Sequence, residues 1–163
     1  MEENYTTYPN NAKVWVYQSN QQLDKDEVDY LKVQLDDFIS SWESHGKLLK
    51  ATFEIVHNLF VVLFVDEQGD KMCGTAQDNS IRLMKQLGAE LEVDFLNRMT
   101  QSYKKGDQVK IVQMNDFSTL LANNEIDENT IVFNNMVTTK YDFDNHWEVP
   151  LKDSWHKQLL ALS

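Results

Sequence analysis

The side chains best suited to chemistry lie in one polar stretch, residues 72–80. Its thiol, hydroxyl and carboxylate groups are those of Cys73, Thr75, Asp78 and Ser80. We expect a loop that leads into a helix capped by Asp78, because aspartate is a favoured N-cap residue. The backbone amides after such a cap suit an anionic group, and Gly74 permits close approach of a ligand. This stretch is therefore the predicted root of a binding site.

Aromatic and histidine side chains elsewhere are the predicted partners of this stretch. We expect the end of the first helix and the C-terminal tail to meet it. The predicted ligand-binding surface is concave and gathers eight residues: Trp42, His45, Gly74, Thr75, Asp78, Ser80, Trp155 and His156. Simpler interpretations stand beside this one: Asp78 as a plain cap, Cys73 as an incidental thiol, and Trp147 and Trp155 as packing residues.

The sequence predicts neither a metal site nor a cofactor. Its four histidines have no His-x-x-x-His or His-x-His spacing, and it contains no Cys-x-x-Cys. Asp66, Glu67 and Asp70 lie close to Gly69 but lack the spacing of a calcium-binding loop, so a solvated turn is expected. Arg98 could bind an anion or form a structural ion pair.

Two successive strands are expected to form the centre of the fold. Residues 49–56 alternate between apolar and polar side chains, which is typical of a strand with one wet face. Residues 59–65 are apolar without interruption, which predicts a strand covered on both faces. His57 and Asn58 form the predicted turn, since asparagine tolerates positive φ. We therefore expect a hairpin with its second strand in the middle of a sheet.

A helix of about five turns precedes this hairpin. Asp24 and Glu27 have the spacing of a capping box, and an apolar stripe runs from Val28 to Trp42. Gly46 is the predicted C-cap, which makes His45 a residue of the last turn beside the helix dipole. A first strand is predicted over residues 13–18, after a loose lead-in over residues 1–12.

The second half of the chain has weaker patterns. Residues 90–103 fit either a short helix through Phe95, Leu96 and Met99 or the start of a strand. The further expected elements are a turn at residues 105–107, a strand over 109–113, a helix capped by Asn115 and Asp116, a strand from 130 that could continue to 138, and a last helix after residue 153. The aromatic tail, residues 141–163, should pack on the domain.

These elements predict a single α+β domain over residues 1–163. The order β-α-β-β-α at the start resembles a ferredoxin-like half, here followed by a C-terminal extension. A mixed or antiparallel sheet with helices largely on one face is the expected architecture.

Composition limits the partners and the compartment. The 163 residues include 26 acidic and 15 basic side chains, for a net charge of −11. Such a surface repels phosphate backbones and anionic membranes, so neither nucleic acid nor a membrane is an expected partner. The single cysteine and the acidic start, unlike a signal peptide, favour a cytoplasmic protein.

Five phrases together resemble an uncharacterised family of small bacterial proteins. They are residues 14–19, 42–46, 78–80, 132–135 and 147–156, and the resemblance covers nearly the whole chain. Many members carry the label "ABC transporter ATPase", but the resemblance implies no established activity. Members often show a Ser-Gly-Cys-Ser-Ile-Asp-x-Ser-like loop. Matching its aspartate to Asp78 places Gly74 on the glycine and Thr75 on the cysteine, whereas Cys73 falls two residues earlier.

The motifs of an ATPase are missing. A phosphate-binding loop needs G-x-x-x-x-G-K-[ST], whose amides and lysine hold the phosphates. The one Gly-Lys pair is Gly46-Lys47, which Leu48 follows, and Ser41 stands where the first glycine should be. No LSGGQ-type signature is present.

Two functions from different classes follow. The first is a non-catalytic domain that binds a small molecule or a protein, with a homodimer as one form. The second is a small hydrolase or transferase that uses residues 75–80 with His45 or His156. The first is favoured, because no nucleophile, base and orienting group have a recognisable spacing.

Overall fold

Nine strands and four α-helices form the fold in the computed structural model, which describes residues 4–162. In chain order they are β1 (Lys13–Gln18), α1 (Lys25–Ser41), β2 (Glu43–Ser44), β3 (Lys47–Leu48), β4 (Lys50–Val56), β5 (Phe60–Asp66), α2 (Gly74–Leu91), β6 (Thr100–Lys105), β7 (Gln108–Gln113), α3 (Met114–Ala122), β8 (Ile131–Phe133), α4 (Lys140–His146) and β9 (Glu148–Pro150). Short 3-10 helices cover Tyr5–Thr7, Leu151–Asp153 and Trp155–Leu162.

The first sheet has three strands in the order β1-β5-β4, and both pairings are antiparallel. Residues 59–65 are each 0% exposed, and β5 lies between its two neighbours. The loop at His57 and Asn58 has φ of 56° and 51°. The predicted hairpin and the central position of its second strand are both confirmed.

Both faces of the first sheet are covered. On one face, Val61, Leu63 and Val65 pack against buried residues of α1 and α2. On the other face, Phe60, Val62 and Phe64 pack against a cluster that comes mainly from the two ends of the chain: Tyr8, Ala12, Phe133, Val137, Phe143 and Trp147. The predicted placement of helices on one face therefore describes α1 and α2, while the other face is covered by irregular segments, α4 and part of a second sheet.

The second sheet has four strands in the order β7-β6-β8-β9, again with antiparallel pairing. Phe117 and Leu121 of α3 pack with Val132 and Leu151 in a third apolar cluster. The chain is thus a compact α+β protein with antiparallel sheets. None of the helices that the structure describes is both long and apolar enough to cross a bilayer.

The ferredoxin-like topology is not confirmed. In that topology the strand after α2 would join the first sheet beside β1. Here β6 pairs with β7 and β8 instead. On this side of β1, residues 4–162 supply only an isolated antiparallel bridge between Lys13 and Thr139.

The helix α1 begins as predicted and ends earlier than predicted. Its capping box is complete, since Asp24 accepts from the Glu27 amide and Glu27 accepts from the Asp24 amide. The prediction of Gly46 as the C-cap is wrong, because the helix ends at Ser41 with Trp42 extended. Gly46 instead forms the turn of a small hairpin, β2 with β3, where His45 and Gly46 have φ of 55° and 76°. Two such residues in succession suit a tight type I′ turn.

Other predictions are corrected by the packing. The expected loose lead-in is folded over its described part, since Tyr8 and Ala12 are buried and Tyr5 stacks on Phe64; residues 1–3 lie outside the described residues. Residues 100–105 form β6, so the alternative helix through Phe95, Leu96 and Met99 is wrong. α3 begins after Gln113 without the expected side-chain cap, and β8 ends at Phe133.

Substitution of the central strand tests its role. Phe64 is fully buried, and its ring lies 4.4 Å from that of Tyr5 and 5.4 Å from that of Phe143. We expect Phe64→Ala to lower the free energy of unfolding by about 3–5 kcal/mol, because it removes buried apolar area and leaves a cavity. Urea denaturation measures the change.

The control for this experiment is Val33→Ala, since Val33 is 57% exposed on α1. Its effect should stay within about 0.5 kcal/mol. Equal effects of the two substitutions would contradict a buried central strand.

Candidate functional site

The polar stretch that sequence analysis singled out is largely helical. α2 begins at Gly74 with Cys73 as its N-cap, and Cys73 makes no side-chain capping bond. The prediction of Asp78 as the cap is therefore wrong, and Asp78 lies exposed in the second turn. The buried stripe of the helix runs through Ala76, Ser80, Met84 and Leu87, which sets its start one turn earlier than the cap signal indicated.

The β2–β3 hairpin and the first turn of α2 both supply hydrogen-bond donors to the Cys73 thiol. The Cys73 amide donates to Ser44 Oγ at 2.9 Å. The Ser44 hydroxyl, followed by the backbone amides of Ala76 and His45, lowers the pKa of the Cys73 thiol to about 7. These groups stabilise a thiolate more than a thiol.

Trp42 and His45 join the end of α1 to the start of α2. The Trp42 indole is buried, and its Nε1 donates to Ala76 O at 2.8 Å. The His45 ring lies in the hairpin turn rather than in the last turn of α1, and its Nε2 is 3.1 Å from Lys71 O. Because a carbonyl only accepts, the His45 Nε2 carries the proton of this bond.

Ser80 has a structural environment. Its side chain is 0% exposed, and its Oγ donates to Gln77 O at 2.7 Å and lies 3.3 Å from the Tyr17 hydroxyl. Burial, partly offset by this Ser80 contact, raises the pKa of Tyr17. Gly74 and Thr75 are exposed in the first turn of α2.

His156 is held in a buried relay at the second sheet. Gln101 Nε2 donates to Arg98 O at 3.0 Å, so Gln101 Oε1 faces the histidine and accepts from His156 Nε2 at 2.7 Å. The Ser154 hydroxyl then donates to His156 Nδ1 at 2.7 Å. Burial lowers the pKa of His156 to about 4, so the ring is neutral at pH 7. The relay fixes the backbone of Arg98.

The eight predicted residues do not share one cavity. Trp155 lines a large cavity of about 710 Å³, and His45 lines a smaller one of about 360 Å³. Trp42, Gly74, Thr75, Asp78, Ser80 and His156 line neither of these two. The structure thus groups Trp42 and His45 with the start of α2, and places Trp155 and His156 at the second sheet. Their role in binding a ligand stays a prediction.

The larger cavity lies along the edge of β1 that faces away from β5. The whole of β1 forms one wall, and the start of α2 with Gln77 and Ile81 forms another. The lining also includes residues 95–98, Thr100 and Gln101, and residues 135–138 with Trp155 complete it. Three large apolar side chains of this lining are unusually exposed: Ile81 at 46%, Leu96 at 36% and Met136 at 68%.

The charges at this cavity are opposite in sign to those of the whole chain. Among the described residues, its lining includes the cations Lys13, Lys71 and Arg98, and the single acid Glu67. The Glu67 carboxylate accepts from the Met72 amide at 2.7 Å, which occupies one of its oxygens. Among residues 4–162, none of the three cations forms an ion pair with an acid. The structural ion pair considered for Arg98 is therefore not found there.

An indole determines how two amides at the cavity wall are oriented. Trp147 Nε1 can only donate, and it donates to Asn135 Oδ1 at 2.9 Å. Asn135 Nδ2 must then point the other way, and it donates to Gln18 Oε1 at 2.8 Å. The Ser102 hydroxyl donates to the same oxygen at 3.3 Å. Gln18 Nε2, buried at the wall, is left without a hydrogen-bond acceptor among the described residues.

Sequence reasoning missed Lys13, Gln18, Lys71 and Gln77 as cavity residues, and it left Arg98 undecided. The three cations lie 27 or more positions apart in the sequence, so no local spacing connects them. One signal was present, namely a lone arginine among apolar neighbours in a strongly acidic chain. That signal left an anion site and an ion pair both open for Arg98, and it did not point to the other cations.

The pKa of Cys73 predicts a measurable reactivity. We expect the rate of alkylation by iodoacetamide to rise with pH about a midpoint near 7, because the thiolate is the nucleophile. Ser44→Ala should raise this midpoint toward about 8.5, the value of an ordinary thiol. A stopped assay of alkylation rate against pH measures both proteins, and a wild-type midpoint of about 8.5 would refute the assignment.

The neutral His156 predicts a pH dependence of stability. An unfolded histidine titrates near pH 6.5, whereas His156 titrates near 4 in the folded protein. Between these values the unfolded chain binds a proton that the folded protein excludes. This histidine's contribution to stability is therefore full above about pH 6.5 and falls, by about 3 kcal/mol in all, as the pH drops toward 4.

The variant His156→Gln isolates this effect. It should be less stable than the wild type at pH 7.5, because the buried relay is altered, and the difference should narrow as the pH falls. Denaturant unfolding at several pH values measures the two curves. Parallel curves for the two proteins would contradict a buried neutral histidine.

Comparison with known proteins gives no family and no relative. The chain matches no protein-family model, no curated protein and no solved structure. The geometry of the cavity is therefore the basis on which a function can be argued.

Proposed function

We propose that this protein is a non-catalytic binding domain that takes a ligand with an anionic group in the cavity beside β1. The observation that carries the proposal is the local charge. A chain with a net charge of −11 collects Lys13, Lys71 and Arg98 around one cavity, against Glu67 as the single acid among the lining residues that the structure describes. Cations in a concave, partly apolar surface produce a positive potential that attracts anions and repels cations.

The rest of the lining supports a ligand with an apolar part. Trp15, Met72, Ile81 and Leu96 line the cavity together with Trp155. Exposed apolar side chains that converge on one concavity are typical of a binding surface rather than of ordinary solvent-exposed surface. The ligand class is therefore an amphipathic anion, and the buried donor at Gln18 Nε2 supports an oxygen acceptor in it.

The hydrolase or transferase function has weaker support. It would need a hydroxyl and an available histidine within reach of each other. The Ser80 hydroxyl donates to Gln77 O, and both ring nitrogens of His156 are hydrogen-bonded in the interior. His45 is exposed, but its Nε2 is bonded to Lys71 O. We also propose that the chain belongs to the uncharacterised family of small bacterial proteins that its sequence resembles. Membership of that family would not imply an activity.

The test uses 8-anilinonaphthalene-1-sulfonate, a fluorescent probe with a sulfonate on an aromatic body. We expect it to bind the folded protein at a single site, with enhanced emission. The double variant Lys71→Gln and Arg98→Gln should weaken binding by about tenfold, because about 1.4 kcal/mol of attraction corresponds to that change in Kd. Fluorescence titration measures Kd.

Two controls separate this site from nonspecific attraction. The variant Lys32→Gln with Arg82→Gln removes the same charge from exposed positions that do not line the cavity, and it should bind as the wild type does. The uncharged probe N-phenyl-1-naphthylamine should bind both double variants equally. Equal weakening of sulfonate binding by both double variants, or no binding to the wild type, would refute the proposal.

A further inference from the structure

One edge of β1 is paired along its whole length. Lys13 to Gln18 pair with Val65 to Phe60 of β5 in an antiparallel register. In such a ladder, alternate residues direct both N–H and C=O toward the partner, and the others direct them away. The Val14 amide donates to Thr138 O at 3.0 Å, outside the sheet. Val14, Val16 and Gln18 therefore present their backbone groups to the outer edge.

Within the part of the chain that the structure describes, the outer edge has partners only at its two ends. At one end the Val14 amide meets Thr138 O, and at the other the Asn20 amide donates to Asp94 O at 3.1 Å. Between them, the amides of Val16 and Gln18 have no hydrogen-bond partner among residues 4–162. Both residues line the large cavity, and Gln18 is only 5% exposed.

The unpaired backbone groups on the outer edge of β1 favour a ligand that has a peptide backbone of its own. Backbone N–H and C=O groups are strong hydrogen-bonding groups, and an unpaired strand edge is a template for pairing with another chain. A compact anion would contact the cations but would leave alternating donors and acceptors of β1 unpaired. An extended chain offers C=O and N–H groups at the spacing of the strand edge, so it satisfies both kinds.

The gap has the length of a short strand. From Val14 to Gln18, where β1 ends, the edge spans four steps, or about 13 Å at the rise of a strand, which is the span of about five added residues. The cavity of about 710 Å³ continues along this edge on both sides of the sheet. Alternate side chains of an added strand would point to opposite sides. On the helix side, Lys13 shares the face of Trp15 and suits acidic side chains, whereas on the other side Val16 and Val137 suit apolar ones.

The charges identify the kind of chain. Lys13, Lys71 and Arg98 line the gap without ion pairs to described acids, and acidic side chains would complement them. We propose that the ligand is an extended acidic segment of a partner protein, which binds as an added strand along the outer edge of β1. This inference rests on the proposed function, because it uses the same cavity and the same cations.

The probe is the acetylated and amidated pentapeptide EIEIE, with KIKIK as the charge-reversed control. We expect EIEIE to displace 8-anilinonaphthalene-1-sulfonate from the wild-type protein and KIKIK to leave it bound. The two peptides share length and apolar residues, so a difference between them reports the cations of the cavity. Equal displacement by both would overturn the acidic character of the ligand.

Strand pairing is tested by methylating the peptide backbone. One version of EIEIE carries N-methyl groups on its glutamate amides and the other on its isoleucine amides. Because only alternate amides face β1, one version should bind about tenfold more weakly than EIEIE and the other should bind as EIEIE does. Equal behaviour of the two versions, with binding kept in both or lost in both, would overturn the pairing.

Hydrogen exchange gives a second readout on the protein itself. In the complex with EIEIE, the exchange rate of the Val16 amide should fall by about tenfold or by a larger factor, because this amide gains an acceptor. An unchanged rate in a saturated complex would overturn the pairing. If the sulfonate probe binds but EIEIE does not, the strand proposal fails and the proposed function stands. If neither binds, both fail.

Discussion

The rest of the structure depends on the need to cover β5 on both faces. Its residues from Phe60 to Val65 are apolar in succession, so no face can be left in water. Burying a large apolar side chain is worth about 1.5–3 kcal/mol, and such a strand supplies several on each side. The two long helices cover one face, as the chain order favours. The other face must be covered by segments that are distant in sequence.

That second covering draws on both ends of the chain. Residues of the Tyr5–Thr7 helix and α4 pack on β5 together with Phe133 and Trp147. The C-terminal part of the chain therefore crosses the face of the first sheet that lies opposite α1 and α2. It touches the outer edge of β1 near Thr138 and then turns away into α4. Meanwhile the strand after α2 leaves for the second sheet. The space beside β1 is thus a by-product of how the opposite face is covered, and the cations that line it come from three separate segments.

Local patterns predicted the elements whose causes are local. The capping box at Asp24 and the apolar stripe behind it were sufficient for α1, and an all-apolar run after an alternating one was sufficient for the hairpin. The start of α2 was misplaced because a helix can begin without a side-chain cap, as it does at Cys73 and again at Gln113. In α2, the burial of Ala76 outweighs the preference of Asp78 for a cap position.

The cavity itself was beyond local reasoning. The unpaired edge of β1 results from where β6 goes, and that is decided by long-range pairing with β7 and β8. Lys13, Lys71 and Arg98 have no common spacing, and each taken alone is an ordinary surface cation. Their grouping is notable because the rest of the chain carries an excess of acidic charge.

The amides at the cavity wall show how a ring outside the cavity can determine whether the wall presents a hydrogen-bond donor or an acceptor. A glutamine side chain can present either an oxygen or an NH₂ group, and the two ends have nearly the same shape. Trp147 does not line the cavity, yet its indole can only donate, and this polarity passes through Asn135 to Gln18. A phenylalanine in place of Trp147 would keep much of the packing but release both amides to turn over. The Gln18 amide could then present either its NH₂ group or its oxygen at the wall, although no residue that lines the cavity had been changed.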